Sequence, residues 1–168
     1  RAFIFPFLLK GKSRMPVAIM AMGIVFNLLN GMMQAGGLFY FAPEGLYADG
    51  WAYLLKPHAL LGIILFFAGM FVNLHSDYVI RHLRRPGDTK HYLPGKGLYR
   101  YVTSANYFGE LVEWTGFAIL TASPAAWVFV WWTFANLVPR ADAIHRRYRE
   151  EFGDEAVGKR KRIIPFLY

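Results

Sequence analysis

The 168 residues contain no cysteine, so this stretch of chain forms no disulfide, binds no metal through thiolates and has no cysteine nucleophile. Several short signatures are missing as well. The sequence has no G-x-G-x-x-G or G-x-x-x-x-G-K-[ST] motif to hold a phosphate, and no H-E-x-x-H or other close histidine pair to bind a metal. We therefore predict no metal site, and a nucleotide site would have to be built by another arrangement of residues.

Charge is absent from long stretches of the chain. Residues 15–41 carry no charged side chain over 27 residues, which is long enough to span a bilayer. Four apolar runs follow one another, at residues 15–41, 57–80, 101–121 and 124–140. With 55% hydrophobic and 18% aromatic residues, the composition is more apolar than that of an ordinary soluble domain. We predict an all-α, polytopic integral membrane helical bundle that forms a single domain over residues 1–168.

Basic residues are almost absent from one side of this predicted bundle. If the chain starts on the cytosolic side and the runs form two hairpins, 18 of the 19 Lys and Arg residues fall in inner segments. The basic turn with Lys10, Lys12 and Arg14 is one of these segments, and only Lys56 lies in an outer loop. Membrane proteins show this asymmetry, whereas binding to nucleic acid would not produce it. The net charge of +8 therefore does not predict a nucleic-acid partner.

Polar side chains follow one face of each of the two central runs, on either side of a basic loop at residues 81–100. The two polar stripes are Asn73, Asp77 and Arg84 in one run, and Asn106, Glu110 and Glu113 in the next. At 100° per residue, each stripe lies within about 40° of a single line along its helix. Ionisable groups in membrane helices usually face a cavity or a partner. Two such stripes at the same end of two helices predict a site between them.

The basic and aromatic residues around this end of the helices favour an anionic ligand with a ring. Cations come from three separate segments, 81–85, 140 and 146–149. Six tyrosines that could stack on a heterocycle occur in the same regions: Tyr78, Tyr92, Tyr99, Tyr101, Tyr107 and Tyr148. Two other interpretations stay open from composition and spacing: the acids could pair with the arginines, and the basic loop could contact anionic lipid headgroups.

Several segments resemble the steroid 5α-reductase family (3-oxo-5-alpha-steroid 4-dehydrogenase). They are NLHSDYVIRHLRR at 73–85, YVTSANYFGELVEW at 101–114, Pro139-Arg140, HRRYREEF at 145–152 and the terminal KRIIPFLY. The pattern ANYFGE-x-x-EW is the most specific of them. The wider superfamily includes sterol C14- and C7-reductases, enoyl-CoA and polyprenol reductases, and isoprenylcysteine methyltransferases. The chain is more similar to the steroid reductases than to these, and is identified as a bacterial or otherwise divergent member.

The resemblance implies a seven-helix membrane fold, of which this chain would contain four to five helices, with further helices expected before Arg1. It also implies an oxidoreductase acting on CH–CH bonds. NADPH would bind in a cavity open to the cytosol, and the steroid would enter from the membrane. A hydride would pass to C5 of a 3-oxo-Δ4-steroid, with protonation at C4. We expect a monomer in contact with membrane lipid, in a bacterial inner membrane or the endoplasmic reticulum membrane.

The resemblance also assigns roles to residues. The predicted cofactor-binding residues are Asn73, Asp77, Arg84, Asn106, Arg140 and Tyr148, with the arginines on the phosphates. Glu110 and Trp114 are predicted to line the substrate pocket. The family's catalytic Tyr–Glu pair would precede Arg1, so we name no catalytic residue. Three positions depart from the mammalian pattern: Met22 and Ile144 replace Arg and His, and Tyr92 replaces Arg or Lys.

Three alternative functions accompany this prediction. Within the same chemistry, the substrate could be another enone or enoyl lipid, of the polyprenal or enoyl-CoA type. The same fold could carry an S-adenosylmethionine-dependent methyltransferase of the prenylcysteine type, although that ligand has no phosphate and needs fewer arginines. A membrane scaffold or lipid-binding protein would need no polar stripes in register on two helices.

Overall fold

A computed structural model describes residues 16–84, 88 and 90–168; the predicted basic turn at residues 10–14 lies outside the described residues. The α-helices are α1 (Val17–Phe39), α2 (Pro57–Arg81), α3 (Ala105–Thr121), α4 (Pro124–Phe152) and the short α5 (Asp154–Val157). Two 3-10 helices cover Gly50–Leu55 and Gly97–Arg100. The described residues form no β-strand, only an isolated parallel bridge between Val102 and Lys161. The prediction of an all-α bundle is confirmed.

The four apolar runs correspond to α1 to α4, and proline marks two of the starts. Pro57 and Pro124 occupy the first turns of α2 and α4, where a missing N–H costs nothing. Between α3 and α4 the chain reverses at Ala122, which has a left-handed φ of 48°.

The fourth apolar run ends at residue 140, but α4 continues beyond it through the basic tail to Phe152. Asp142 and Arg146 form an ion pair one turn apart in this extension, as do Arg147 and Glu151. Such pairs favour helix although the segment is not apolar. The extended helix carries residues 141–152 beyond the predicted membrane region.

Two described helices, α1 and α2, are long and apolar enough to cross a bilayer, judged by length and composition alone. α3 has 17 residues and contains Glu110 and Glu113, and α4 includes the charged extension. Neither meets the same criterion, so the prediction of four spans is supported for two of the helices. Most of α1 is exposed, and Gly37 is its buried residue.

Glycines bring α2 and α3 together in an antiparallel pair. Gly62 faces Gly116, and seven residues further along α2 Gly69 faces Gly109. A Cβ added at Gly62 would lie 2.8 Å from the Gly116 carbonyl oxygen, and one at Gly69 would lie 2.7 Å from that of Gly109. Real side chains do not tolerate such distances, so only glycine permits this approach. The heptad spacing keeps these glycines on the shared face of the two helices.

Tyrosines and small residues connect the helices at the end of the bundle where α3 turns into α4. The hydroxyls of Tyr47 and Tyr53 donate to the carbonyls of Thr121 (2.5 Å) and Leu120 (2.8 Å), which satisfies acceptors at the end of α3. α1 contacts the start of α4 where the Gln34 amide donates to the Ala125 carbonyl at 3.2 Å.

At the opposite end, the C-terminal segment packs on the loop that precedes α3. The Lys161 amide donates to the Tyr101 carbonyl (2.8 Å), and the Thr103 amide donates to the Lys161 carbonyl (2.9 Å). Arg162 donates to Asp142 on α4 at 2.5 Å, and Ile163 is fully buried between α3 and α4. This segment therefore connects the extension of α4 to the first turn of α3.

We expect Gly109→Ala to destabilise the protein by about 1–3 kcal/mol, the usual cost of overpacking. Its Cβ would lie 2.6 Å from the Asn73 amide nitrogen on the facing helix. The matched control is Gly31→Ala on α1, where no described atom lies within 4 Å of the new Cβ. That variant should be neutral, or stabilising by about 0.5–1 kcal/mol. Thermal unfolding of the detergent-solubilised full-length protein measures both, and equal effects would contradict the close packing.

Candidate functional site

The candidate site is centred on the buried phenol of Tyr99, in the 3-10 helix that precedes α3. Tyr99 is 1% exposed and packs with Val79, Val102 and Ala105. Its hydroxyl donates to the Oδ1 atom of Asn106 at 3.4 Å. Burial raises the pKa of Tyr99, and the neighbouring Tyr148 and the negative charge of Asp77 raise it further. The phenol therefore stays protonated and available as a hydrogen-bond donor.

Three of the residues predicted to bind the cofactor converge on this phenol from three helices. Asp77 comes from α2, Asn106 from α3 and Tyr148 from the extension of α4. Asn106 is hydrogen-bonded to Tyr99, and the other two are close enough to influence its pKa. Asp77 and Asn106, one from each predicted polar stripe, thus lie at the same end of the helix pair. Arg84 does not belong to its predicted stripe, because α2 ends at Arg81 and Arg84 is exposed beyond it.

Asn73 lies one helical turn before Asp77, opposite Gly109, and both polar side chains are buried. Asn73 is 4% exposed and Asp77 is 8% exposed, and each makes at least one polar or electrostatic interaction. An amide and a carboxylate next to each other in an apolar helix pair can hydrogen-bond a hydroxylated or amide-bearing ligand. Gly109 makes their position possible, because a larger residue would displace the backbone at Asn73.

Tyr148 forms the α4 side of the site and is half-buried. Burial raises the pKa of Tyr148, and the negative charge of Glu151 adds to this effect. Its ring packs edge-on against Phe152, with the centroids 6.0 Å apart. A neutral phenol partly open to solvent can donate a hydrogen bond to a ligand and stack beside a ring.

The two arginines predicted to contact phosphates are at the same end of the molecule, but both are exposed. Arg84 follows the end of α2. The pKa of the nearby Asp88 is lowered mainly by hydrogen bonds from Tyr92 and the Lys90 amide, and the positive charge of Arg84 lowers it further. Arg140 lies on α4, two turns before Tyr148. The structure does not place either guanidinium in the buried cluster around Tyr99.

The predicted substrate-pocket residues lie further along α3, toward an aromatic cluster. Glu110 is one turn beyond Asn106 and is half-buried, with at least one polar or electrostatic interaction. Trp114 packs edge-on against Phe129 of α4, with ring centroids 4.6 Å apart. Phe129 in turn contacts Phe26 of α1 at 6.3 Å. The site therefore changes from polar at Asn106 to aromatic at Trp114 over two helical turns.

The three departures from the mammalian pattern occupy different environments. Met22 is exposed on α1, and Ile144 is half-buried on α4. The hydroxyl of Tyr92 donates to Asp88 at 2.6 Å, so this side chain is engaged within its own loop. None of these three residues contributes a cation to the site.

Two residues of the candidate site and its support were not singled out from the sequence. Tyr99 was only one of six tyrosines, and nothing in its spacing marked it as central. His145 had no role in the predicted site; it is buried, and its Nδ1 atom lies 3.3 Å from the Thr103 hydroxyl oxygen. The single proton of that hydroxyl is directed at the Lys161 and Arg162 carbonyls, which leaves its oxygen as an acceptor. We therefore assign the ring proton of neutral His145 to Nδ1, from which it donates to Thr103. Neutral His145 thereby supports the loop that holds Tyr99.

Comparisons with known proteins extend the resemblance over the whole chain. The family model described as 3-oxo-5-alpha-steroid 4-dehydrogenase matches residues 13–168. The chain is 43% identical over its full length to 3-oxo-5-alpha-steroid 4-dehydrogenase 1 of Macaca fascicularis, covering 62% of that protein. It is 42% identical to the Homo sapiens protein of the same name and 38% identical to Homo sapiens 3-oxo-5-alpha-steroid 4-dehydrogenase 2, covering 62% and 63% of them. The chain thus spans less than two thirds of the length of these relatives.

We expect acid to weaken the fold through His145. Burial lowers the pKa of His145, and the charges of Arg162 and Arg149 lower it further. Because the unfolded histidine titrates near 6.5, its contribution to stability is present above about pH 6.5 and is lost as the pH falls through the lower folded pKa. The variant His145→Gln keeps a hydrogen-bond donor for Thr103 but has no side chain that takes up a proton in this pH range. Unfolding temperatures measured between about pH 7.5 and 5 should therefore fall less steeply in the variant, and parallel curves would contradict the assignment.

Proposed function

Because the chain belongs to the 3-oxo-5-alpha-steroid 4-dehydrogenase family, we propose that the full-length protein uses NADPH to reduce the Δ4 double bond of a 3-oxo-Δ4-steroid. The product is the 5α-reduced steroid, and the protein is an oxidoreductase acting on CH–CH bonds. The observation that carries this proposal is the convergence of Asp77, Asn106 and Tyr148 on the buried phenol of Tyr99. These polar groups lie at one end of an otherwise apolar helix pair.

The residues of this site fit a phosphorylated dinucleotide. Carboxylates bind ribose hydroxyls in dinucleotide sites, which is a suitable role for Asp77. Asn73 and Asn106 offer both donors and acceptors, as an adenine ring or a carboxamide requires. Arg84 and Arg140 are exposed at the same end, where their guanidinium groups can reach phosphate oxygens in a bidentate manner. We assign the arginines to the phosphates and the buried polar residues to the nucleosides.

The aromatic end of the site suits the steroid. NADPH, when bound, supplies the hydride that passes to C5 of the steroid, and C4 takes up a proton. Glu110 lies between the polar cluster and Trp114, at the position where the two ligands would meet. The rings of Trp114 and Phe129 provide an apolar surface that limits access of water to this region. We place these residues at the nicotinamide–steroid junction.

We propose that the protein lies in a membrane with this site facing the cytosol. The apolar helices α1 and α2 and the concentration of cations at the end that contains Tyr99 support this orientation. A steroid dissolved in the bilayer would then approach between helices, and the water-soluble nucleotide would approach from the aqueous side.

Cofactor binding distinguishes this proposal from methyl transfer. NADPH should raise the unfolding temperature of the detergent-solubilised full-length protein, since a ligand at roughly 100 times its Kd adds about 2.7 kcal/mol. NADH should stabilise less at the same concentration, because it lacks the 2′-phosphate. Stabilisation by S-adenosylmethionine alone would overturn the reductase proposal. Consumption of NADPH in the presence of testosterone or progesterone then tests the substrate class. If NADPH is oxidised only with a non-steroid enone or an enoyl lipid, the substrate is that lipid and not a steroid.

We expect Tyr99→Phe to weaken NADPH binding through loss of the hydrogen bond that holds Asn106. One such bond contributes about 0.5–1.5 kcal/mol, so the affinity should fall roughly 2- to 13-fold. The matched control is Tyr53→Phe, which removes a phenol bonded to the Leu120 carbonyl at the other end of α3. The control should lose stability but keep its cofactor affinity. NADPH affinity is measured by titration of the unaltered full-length protein and of both variants. Equal affinities in all three would show that Tyr99 does not contribute to the cofactor site.

A further inference from the structure

A second concave site is lined in part by Arg100 and Tyr101, which follow Tyr99 in the chain. It is a groove of about 590 Å³ between the loop before α3 and the segment that follows α5. Its main lining residues are Arg100, Tyr101, Lys159, Arg160, Lys161 and Phe166. None of these was assigned to the dinucleotide.

The groove is strongly basic. Four of its lining residues are Arg or Lys, and no carboxylate is among them. Of these cations, Arg100, Lys159 and Lys161 form no ion pair with an acid in the described part of the chain. Concentrated positive charge without internal compensation favours a bound anion.

Hydrogen bonds hold the two segments that line the groove in place. Arg160 donates to the Pro94 carbonyl at 2.9 Å, and the Lys161 amide donates to the Tyr101 carbonyl at 2.8 Å. The rings of Tyr101 and Phe166 pack together across one end, with centroids 5.2 Å apart. The chemistry that these groups recognise is that of a phosphate ester.

Apolar side chains next to the cations indicate whether the phosphate belongs to a soluble compound or to a phospholipid. Phe166 is 78% exposed, and its neighbour Leu167 is 74% exposed. A soluble phosphate compound gains nothing from such residues, whereas a phospholipid places its acyl chains beside its headgroup. Cationic side chains at the headgroup with exposed Phe and Leu next to them are typical of contact with a membrane surface.

We propose that this groove binds the phosphate of an anionic phospholipid at the cytosolic leaflet, with Phe166 and Leu167 inserted among the acyl chains. Arg100, Lys159 and Lys161 neutralise the phosphate, and Arg160 completes the basic rim. The bound lipid fixes the segment after α5 against the loop before α3. The site is separate from the proposed cofactor site and does not require that proposal to be correct.

The test uses native mass spectrometry of the detergent-solubilised full-length protein with added phosphatidylserine or phosphatidylcholine. We expect phosphatidylserine to bind more tightly. The double variant Arg100→Gln/Lys159→Gln should weaken its binding about 25-fold, since each cation near a membrane surface contributes about fivefold. Both residues are exposed, so the fold should be retained. The control is Lys96→Gln, an exposed cation at the same end but outside the groove.

Two further measurements distinguish a phospholipid from a soluble phosphate compound as the ligand. Leu167→Ser should weaken phosphatidylserine binding but leave binding of glycerol phosphate unchanged. Adenosine 2′,5′-bisphosphate should not displace the lipid. Displacement by that nucleotide would make the groove a soluble-phosphate site and overturn the proposal. Equal affinity for phosphatidylcholine, or an equal loss in Lys96→Gln, would overturn it as well, because either result means non-specific attraction.

Discussion

The close approach of α2 and α3 is the contact on which the rest of the structure depends. Gly62 and Gly69 on one helix face Gly116 and Gly109 on the other, and added Cβ atoms would collide with the opposing backbone. Helices this close exclude large side chains from their interface, so backbone packing determines their register. That register places Asn73 opposite Gly109 and brings Asp77 and Asn106 to the same end. The polar site follows from this packing of small residues.

The loops and the extension of α4 complete the site from outside the helix pair. The 3-10 helix places Tyr99 over the end of the pair, and Val102 and Thr103 continue the chain into α3. The C-terminal segment is bonded to this loop and to Asp142 of α4, where the Arg162 guanidinium lowers the pKa of the Asp142 carboxyl. Residues far apart in sequence thereby form one polar end, with an aromatic region around Trp114 and Phe129 behind it. This gradient from polar to aromatic is suited to a charged nucleotide and an apolar substrate.

Much of this arrangement could be predicted from residue order. Long apolar runs identified four helices, because a long apolar segment must bury its backbone polar groups in helical hydrogen bonds. Helical periodicity identified the polar stripes that contain Asp77 and Asn106. The extension of α4 was missed, since it depends on ion pairs such as Asp142–Arg146 and not on hydrophobicity. The importance of Tyr99 was also missed, because its burial depends on packing against Val79 and Ala105.

By itself, the sequence determined which residue types were available, where helices could form and which family the chain resembles. These properties are local, since charge, apolar length and periodicity are read along a single segment. Only the tertiary structure decided which polar residues meet, that Arg84 and Arg140 are exposed, and that four cations line a groove beside Phe166. The physical reason is that such contacts join segments from different helices. Their distances depend on helix register and loop path, which no spacing within one segment specifies.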